Sequence, residues 1–384
     1  MFPSSRLSVS AMFLANGFIL GAWAPQIPLF KERLDISETT LGLMILGFGL
    51  GALFAMPVAG WLISRHGSRR VLSVSGIVCS ISLVLVVAAP SVAVATCALV
   101  FFGAVFGGMD VTMNANGVTA ERAGDRSIMS SLHGFWSLGG FAGGLSGGFI
   151  IERIGTTGHA LVVCAIALML VLVAMPFIVD EEKVERPAGT KARLPREPVL
   201  YLLGFIGLFS MIPEGSVLDW AALYLTQDHG ATVATAGWGY AAFAGAMATM
   251  RFAGDPIRDR FGGVATLRVS AVISGLAMIA AALAPGEGFA IGAFAVAGLG
   301  IANMVPIVFS AAGNQKGIAS GAAISVVTSI GYAGILLGPS GMGYVGDHFG
   351  FVPVFFAAGL MLVAVAFVAG LARAADGDQP LTER

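Results

Sequence analysis

A short motif occurs four times in this chain, and its spacing constrains the fold more than any other feature. The copies occupy residues 60–67, 148–155, 255–262 and 343–350, and each closes an apolar run with polar or charged residues and a glycine. The first and second copies are 88 residues apart, as are the third and fourth, whereas corresponding copies are 195 residues apart. The chain is therefore an internal duplication of two equivalent halves. Each motif predicts a helix end and turn at a membrane surface.

Composition indicates a polytopic membrane protein. Hydrophobic residues make up 57% of the 384 residues and charged residues only 11%, which is too little charge for a soluble surface of this size. Three cysteines lie within apolar runs and predict neither disulfides nor a zinc site. The sequence has no basic patch for nucleic acid, no nucleophile elbow, no P-loop and no His/Glu pair at metal spacing. We therefore expect neither an enzyme nor a nucleic-acid-binding protein, and no metal or cofactor.

Apolar runs long enough to cross a bilayer, which takes about 20 residues, divide into two sets of six. The expected fold is an all-α polytopic membrane protein with twelve transmembrane helices, in halves at 1–180 and 199–384 related by a pseudo-two-fold. A charged linker at 181–198 joins the halves. The first run lacks a signal-peptide cleavage site and is expected to be retained. The runs lie at roughly 8–30, 38–63, 70–90, 93–120, 128–150, 158–180, 199–225, 234–257, 264–285, 287–312, 318–343 and 350–373.

Lysine and arginine predict the orientation of the chain. If the N-terminus is cytoplasmic, all but three of the 21 basic side chains fall on the cytoplasmic face, the exceptions being Lys31, Arg33 and Arg153. The positive-inside rule then places both termini and the linker in the cytoplasm, which predicts a multi-pass protein of the cell inner (plasma) membrane.

Two loop segments carry a family resemblance. Residues 65–70 and 259–262 match the loop signature of the major facilitator superfamily, which this chain resembles over almost its whole length. The match departs from the family at Ser64 and Asp255, where the family usually has aspartate and glycine. The resemblance implies that these loops lock one conformation of a transporter, and the expected gating residues are Arg65, Arg69, Arg251, Asp255, Asp259 and Arg260. Arg251 lies one turn before Asp255, and the spacing predicts an i,i+4 ion pair near the cytoplasmic end of its helix.

A second stretch resembles one branch of that family. Residues 114–116 and 131–137 are similar to a poorly characterised bacterial branch that is distantly similar to sugar permeases such as fucose permease. In this family, spans 1, 4, 7 and 10 line the central cavity, so polar residues on those spans are the expected lining of a solute site.

Ionisable and polar side chains inside the spans are candidate functional residues because their insertion into a bilayer is costly. Asp110 has no acidic counterpart in the other half, which favours a functional role, and the candidates for proton coupling are Asp110, Glu214 and His133. The candidates for substrate binding are Asn16, Trp23, Gln26, Asn114, Trp136, Asp219, Trp220 and Asn303. A structural interpretation stays open for several of these: Asn16, Asn116 and Asn303 as links between helices, His133 as a satisfied core histidine and Asp219 as a solvated cap.

Glycines recur every four residues in the fifth span, as two ladders. One ladder contains Gly139, Gly143 and Gly147, and the other starts at Gly140 and ends at Gly148. Small residues at this spacing let helices approach closely, so packing explains them. The same stretch resembles the family's antiporter signature, except that Gly144 stands where proline is expected.

Duplicated halves with polar residues at the midplane favour alternating access over a channel. We expect a secondary active transporter for a small, neutral, hydroxylated, sugar-like solute, driven by proton symport. The alternative is a proton-coupled exporter of organic cations or drugs. Sodium coupling and a non-transporting receptor are less favoured alternatives. The expected partners are the solute and the lipid bilayer, the expected oligomeric state is a monomer, and organic anions are disfavoured because Arg251 alone supplies a positive charge within a span.

Overall fold

The computed structural model describes residues 4–122, 128–179, 197–315, 318 and 320–376, and within these residues all regular structure is helical. The first six α-helices are α1 (Ser4–Trp23), α2 (Ile27–Leu34), α3 (Glu38–His66), α4 (Ser68–Ala88), α5 (Val92–Arg122) and α6 (Met129–Ala174). The others are α7 (Pro198–His229), α8 (Val233–Phe261), α9 (Gly263–Ala282), α10 (Glu287–Ile301), α11 (Met304–Gly313), α12 (Ser320–Phe349) and α13 (Val352–Val368). Short 3₁₀ segments follow α1, α6 and α13, at Ala24–Gln26, Met175–Phe177 and Ala369–Asp376.

Several helices of the described chain are long enough to cross a bilayer. Nine segments within those residues meet both the length and the hydropathy that a span requires. One of them, Ser131–Phe177, covers the predicted fifth and sixth spans together. The expected total of twelve spans therefore stays a prediction, as do the boundaries of the halves. Residues 180–196, which hold almost all of the predicted linker, lie outside the described residues.

All four copies of the repeated motif end on a glycine with a positive φ. The φ angles are 80°, 75°, 79° and 77° at Gly67, Gly155, Gly262 and Gly350. Other residues rarely adopt this conformation, because Cβ then clashes with the backbone. The prediction of a helix end at each motif is confirmed at Gly67, Gly262 and Gly350, and Gly155 breaks α6 internally.

Helix contacts repeat with the period of the sequence. We call α1–α6 the N-terminal set and α7–α13 the C-terminal set. Close helix contacts within the N-terminal set have counterparts 195 residues later within the C-terminal set. Contacts between the two sets also occur as pairs related by 195 residues. The paired examples are Gly103 on Phe48 with Gly298 on Phe243, and Gly148 on Val233 with Gly343 on Glu38. Two sets related in this way form the pseudo-two-fold arrangement that the sequence predicts.

The two glycine ladders of α6 face different neighbours. Gly139, Gly143 and Gly147 lie against α1 and the turn that follows it, and Gly140, Gly144 and Gly148 lie against α8 of the C-terminal set. A Cβ atom on Gly139 would overlap the backbone of α1 at Leu14 and Phe18. The packing interpretation of the ladders is therefore confirmed, and α6 packs against helices of both sets.

The two ends of the bundle differ in how the sets meet. We call the end where α1 begins the Ser4 end, and the opposite end, where α3 begins, the Glu38 end. At the Glu38 end α6 packs against the start of α8, and α12 packs against the start of α3. The Gln227 side chain of α7 also donates a hydrogen bond to Glu38, at 2.9 Å. These contacts join the two sets at the Glu38 end.

The basic residues of the predicted gating loops contact nearby groups. The Arg65 guanidinium lies 4.4 Å from the centre of the Trp61 ring, and Arg260 lies 5.5 Å from that of Phe261. Arg69 donates to the carbonyl of Pro176 at 3.5 Å. The side chains of Ser64, Asp255 and Asp259 lie outside the described residues. A gating role for these loops therefore stays a prediction.

Candidate functional site

Arg251 of α8 lies well inside the bundle, where it contacts residues of both sets. Its guanidinium lies 3.7 Å from a carboxylate oxygen of Glu214 on α7. It also donates a hydrogen bond to the Ser137 hydroxyl on α6, at 2.6 Å. The side chain of Asp255, the expected partner on the same helix, lies outside the described residues, so that pair stays a prediction. The described partners of Arg251 come from neighbouring helices, because α7 and α6 both pack against α8.

An aromatic ring and an amide lie next to this cluster. The Trp136 indole, which precedes Ser137, has its ring centre 5.9 Å from the Arg251 guanidinium. Its N–H donates to the Asn16 side-chain oxygen on α1, at 2.9 Å. Glycines allow this approach, because a Cβ atom on Gly17 would overlap the Trp136 backbone. We call Asn16, Trp136, Ser137, Glu214 and Arg251 the central cluster.

The central cluster combines hydrogen-bonding groups of several kinds. Asn16 is fully buried, and its amide nitrogen has no hydrogen-bond partner among the described residues. The Glu214 and Arg251 side chains keep 25% and 18% of their surface exposed. Buried polar atoms normally have partners. The cluster therefore offers donors, an acceptor and an aromatic face to a polar ligand.

Asp110 lies in the middle part of α5 and His133 lies near the start of α6, and both have other described partners. Asn114, one turn after Asp110 on α5, donates to its carboxylate at 3.2 Å and to its backbone carbonyl at 2.8 Å. His133 packs edge-on against Phe13 of α1, with ring centres 5.2 Å apart. Asp110 thus contacts its own helix α5, and His133 contacts α1. Of the three predicted coupling residues, Glu214 is the one in the central cluster.

The polar residues of the later spans are separated from one another. Asn303 lies at the break between α10 and α11, beside Gly254 and so one turn from Arg251 on α8. Asp219 is 7% exposed on α7, five residues beyond Glu214. Because α7 continues as one helix through Pro213, Glu214 and Asp219 point in different directions.

Three predicted solute-binding residues are packed into the core towards the Glu38 end. Gln26 donates to the Thr156 carbonyl at 2.9 Å, and its amide also lies 2.7 Å from a ring nitrogen of His159. Trp23 packs edge-on against Phe30, and Trp220 is fully buried against Phe351. We therefore leave Gln26, Trp23 and Trp220 out of the central cluster.

Sequence reasoning missed two residues near the central cluster. Ser137 is a partner of Arg251, and its position one turn after His133 was the available signal. Tyr240 of α8 is 4% exposed, and its hydroxyl lies against Gly140. Neither was selected, because serine and tyrosine carry no charge and are common in spans.

Comparison with known proteins identifies the family. The sequence model of the Major Facilitator Superfamily matches residues 9–218 and 203–383. An uncharacterized MFS-type transporter of Yersinia pestis is 34% identical over 370 residues, which are 94% of each chain. The crystal structure of a D-xylose-proton symporter has a TM-score of 0.76 at 15% identity and covers 95% of this chain and 96% of its own. That of the transporter FucP in the outward conformation has a TM-score of 0.66 at 16% identity, covering 97% and 99%.

These matches agree with the fold and with the duplicated halves. The family resemblance found in the loop motifs is confirmed, and the prediction that the chain is not an enzyme is also confirmed, because family and relatives are named as transporters. The chain belongs to the Major Facilitator Superfamily and is a multi-pass membrane transporter.

Proposed function

We propose that this transporter moves a small, neutral, hydroxylated solute of sugar-like chemistry, by proton-coupled symport. The observation that carries the proposal is the Glu214–Arg251 pair of the central cluster, which also touches Ser137 and the Trp136 ring. A carboxylate, a guanidinium and amides bind hydroxyl groups, and an indole face packs against the apolar side of a sugar ring. The D-xylose-proton symporter and FucP share the fold, which makes this chemistry compatible with the architecture.

The charge of the central cluster favours a neutral solute. Glu214 and Arg251 are paired, so their charges cancel. An organic cation bound at Glu214 would come close to Arg251, and two like charges 4 Å apart repel by about 4 kcal/mol at an effective dielectric constant of 20. An organic anion bound at Arg251 would meet the same penalty from Glu214. A neutral polyol can bind both groups without separating the pair.

We assign proton coupling to Asp110 and Glu214, with His133 as a tuning residue. Proton uptake by Glu214 removes the counter-ion of Arg251, and Arg251 also holds Ser137 of the other set. The protonation state of Glu214 therefore acts on a contact between the sets. Asp110, bonded to Asn114, is the second acid available for a relay.

Transport then proceeds by rocking of the α1–α6 set against the α7–α13 set around the central cluster. The contacts at the Glu38 end join the sets there, and we propose that the solute reaches the cluster from the Ser4 end, where Phe252 of α8 packs against Phe135 of α6. Under the orientation predicted from the basic residues, the Ser4 end is cytoplasmic, and the protein acts as a monomer in the inner membrane.

A ligand screen followed by flux measurements tests the proposal. Purified protein is screened by thermal shift against sugars, polyols, nucleosides and organic cations, and stabilising compounds are then tested in proteoliposomes under an inward proton gradient. We expect a polyol or sugar to raise the melting temperature and to accumulate. Replacement of sodium by choline leaves uptake unchanged if protons drive it.

The alternative function is proton-coupled export of organic cations. Its support is the antiporter-like ladder of α6, but the ladder packs against α1 and α8, which explains its glycines. Stabilisation by lipophilic cations alone, lost in Glu214→Gln and retained in the exposed control Glu32→Gln, would replace the symport proposal with export.

A further inference from the structure

Two acidic residues at the Glu38 end bind the first turn of a helix in the opposite set. Glu152, near the kink of α6, accepts a hydrogen bond from the backbone N–H of Ala234 on α8, at 3.0 Å. Asp347, near the end of α12, accepts a hydrogen bond from the Thr39 hydroxyl on α3, at 2.6 Å. Glu152 belongs to the N-terminal set and bonds the C-terminal set, whereas Asp347 belongs to the C-terminal set and bonds the N-terminal set.

The residues that form the two bonds occupy equivalent positions in the sequence repeat. Glu152 and Asp347 are 195 residues apart, as are Thr39 and Ala234. The local helix starts are also equivalent: Ser37 caps α3 by accepting from the Thr40 N–H at 3.2 Å, and Thr232 caps α8 by accepting from the Thr235 N–H at 3.2 Å. Each acid therefore meets the second residue of a capped helix.

The position of each acid is electrostatically favourable. The first N–H groups of a helix have no partner within the helix, and the N-terminal end carries a partial positive charge. A carboxylate is stabilised at that position. One turn before each acid, a glycine packs against the first residue of the same helix, Gly148 on Val233 and Gly343 on Glu38. In each set, the acid and the glycine therefore contact the first turn of the same helix of the opposite set.

We propose that Glu152 and Asp347 are twin latches that hold the Glu38 end of the transporter shut. Both bonds cross between the sets, so both break when the sets separate at this end. The repeat places the two latches at equivalent positions, although Glu152 accepts from a backbone N–H and Asp347 from a hydroxyl. Of the other polar contacts at this end, the Gln227–Glu38 hydrogen bond also crosses between the sets, whereas the 3.0 Å pair of Lys31 with Glu38 lies within one set and persists on opening.

A distance measurement across the Glu38 end tests the latches without any solute. Pro90 and Pro285 are exposed and repeat-equivalent, and they lie in the turns before α5 and α10. Spin labels are placed on Pro90→Cys and Pro285→Cys in a chain whose natural cysteines are replaced by alanine. Electron double resonance in lipid nanodiscs then gives the fractions with this end closed and open.

Removal of a latch is expected to raise the open-to-closed ratio. A carboxylate at a helix N-terminus contributes modestly, so Glu152→Ala or Asp347→Ala alone should raise the ratio about two- to fivefold. The double variant should raise it by about the product of the two factors. Thr39→Val should match Asp347→Ala, and Thr39→Ser, which restores the hydroxyl, should behave as the unaltered chain.

The control is Glu32→Gln, which removes an exposed acid of α2 at the same end. An unchanged distance distribution in the double variant would overturn the proposal, and so would an equal shift in Glu32→Gln. If the double variant fails to fold, the comparison of Thr39→Val with Thr39→Ser decides, since both keep the acids. Because no solute is present, failure of the latches is distinguishable from failure of the symport proposal.

Discussion

Arg251 donates a hydrogen bond to the Ser137 hydroxyl at 2.6 Å, and this bond links α8 to α6 across the boundary between the two sets. The same guanidinium pairs with Glu214 of its own set. A change in the charge of Glu214 therefore alters an interaction that crosses the boundary. In the proposed mechanism, Arg251 therefore takes part in both solute binding and the movement of the two sets.

Replacement of Glu214 by glutamine should uncouple transport. Glu214→Gln leaves Arg251 without its counter-ion and removes a titratable group from the central cluster. We expect gradient-driven accumulation to fall to the equilibrium level while solute counterflow continues. Proteoliposome uptake with and without a proton gradient measures this, with Glu32→Gln as the charge-matched control. Normal accumulation by Glu214→Gln would contradict the assignment.

Replacement of Asp110 by asparagine tests the second acid. Asp110→Asn preserves shape and can still bond Asn114. If Asp110 carries a proton, the variant should lose accumulation but keep exchange and ligand binding. Wild-type accumulation by Asp110→Asn would remove it from the coupling pathway and leave Glu214 as the proton carrier.

Addition of a methyl group at the α6–α8 contact should open the Glu38 end. A Cβ atom on Gly148 would overlap the Val233 carbonyl oxygen, and one on Gly343, at the equivalent α12–α3 contact, would overlap that of Glu38. Overpacking of this kind costs about 1–3 kcal/mol. Gly148→Ala and Gly343→Ala should therefore favour the open state in the spin-label measurement. Gly292→Ala, where no atom lies within 4 Å, should leave the distances unchanged.

Removal of the Trp136 indole N–H should destabilise the N-terminal set. Trp136→Phe leaves the side-chain oxygen of fully buried Asn16 without its described donor. An unpaired buried polar group costs about 1–3 kcal/mol, so the melting temperature should fall. The matched control is Trp238→Phe, because Trp238 is 45% exposed. An equal loss in both variants would mean that the Asn16 bond contributes nothing specific.

Mild acid should leave the Asp347 latch intact. The hydrogen bond from Thr39, aided by the nearby His348 charge and by Glu38 and Ser37, holds the pKa of Asp347 below its ordinary value. A carboxylate with a lowered pKa stabilises the closed form fully above its ordinary pKa and loses this contribution as pH falls through the lowered value. In Glu152→Ala, where Asp347 is the remaining latch, the distances should agree between about pH 8 and about pH 5. Opening at the lower pH would contradict this.

The repeat made much of the fold predictable. Each copy of the motif marks a helix end because its glycine adopts a positive φ, as at Gly67 and Gly262, and this depends on local sequence alone. The packing role of the α6 glycine ladders was equally predictable, since spacing by four residues places Gly139 and Gly143 on one helical face. Local geometry determines both features.

The contact of Arg251 with Glu214 could not be predicted from spacing. Glu214 lies 37 residues earlier in the chain and approaches Arg251 only because α7 packs beside α8. Residue type alone likewise does not distinguish a tryptophan that lines a cavity from one that fills a core, such as Trp220. The latch acids were accessible in principle, because the 195-residue period pairs Glu152 with Asp347.

The glycines where α6 meets α8 also bear on the speed of the conformational change. At Gly140, Gly144 and Gly148 the facing surface of α6 has no side chains beyond hydrogen. Interlocked side chains must change rotamer before two helices can shift past each other, whereas a smooth glycine track requires no such step from α6. In the proposed rocking, the glycine face of α6 therefore adds no rotamer change. The α6 side chains that must yield are those beside it, such as Phe141 against Gly245 and Phe135 against Phe252.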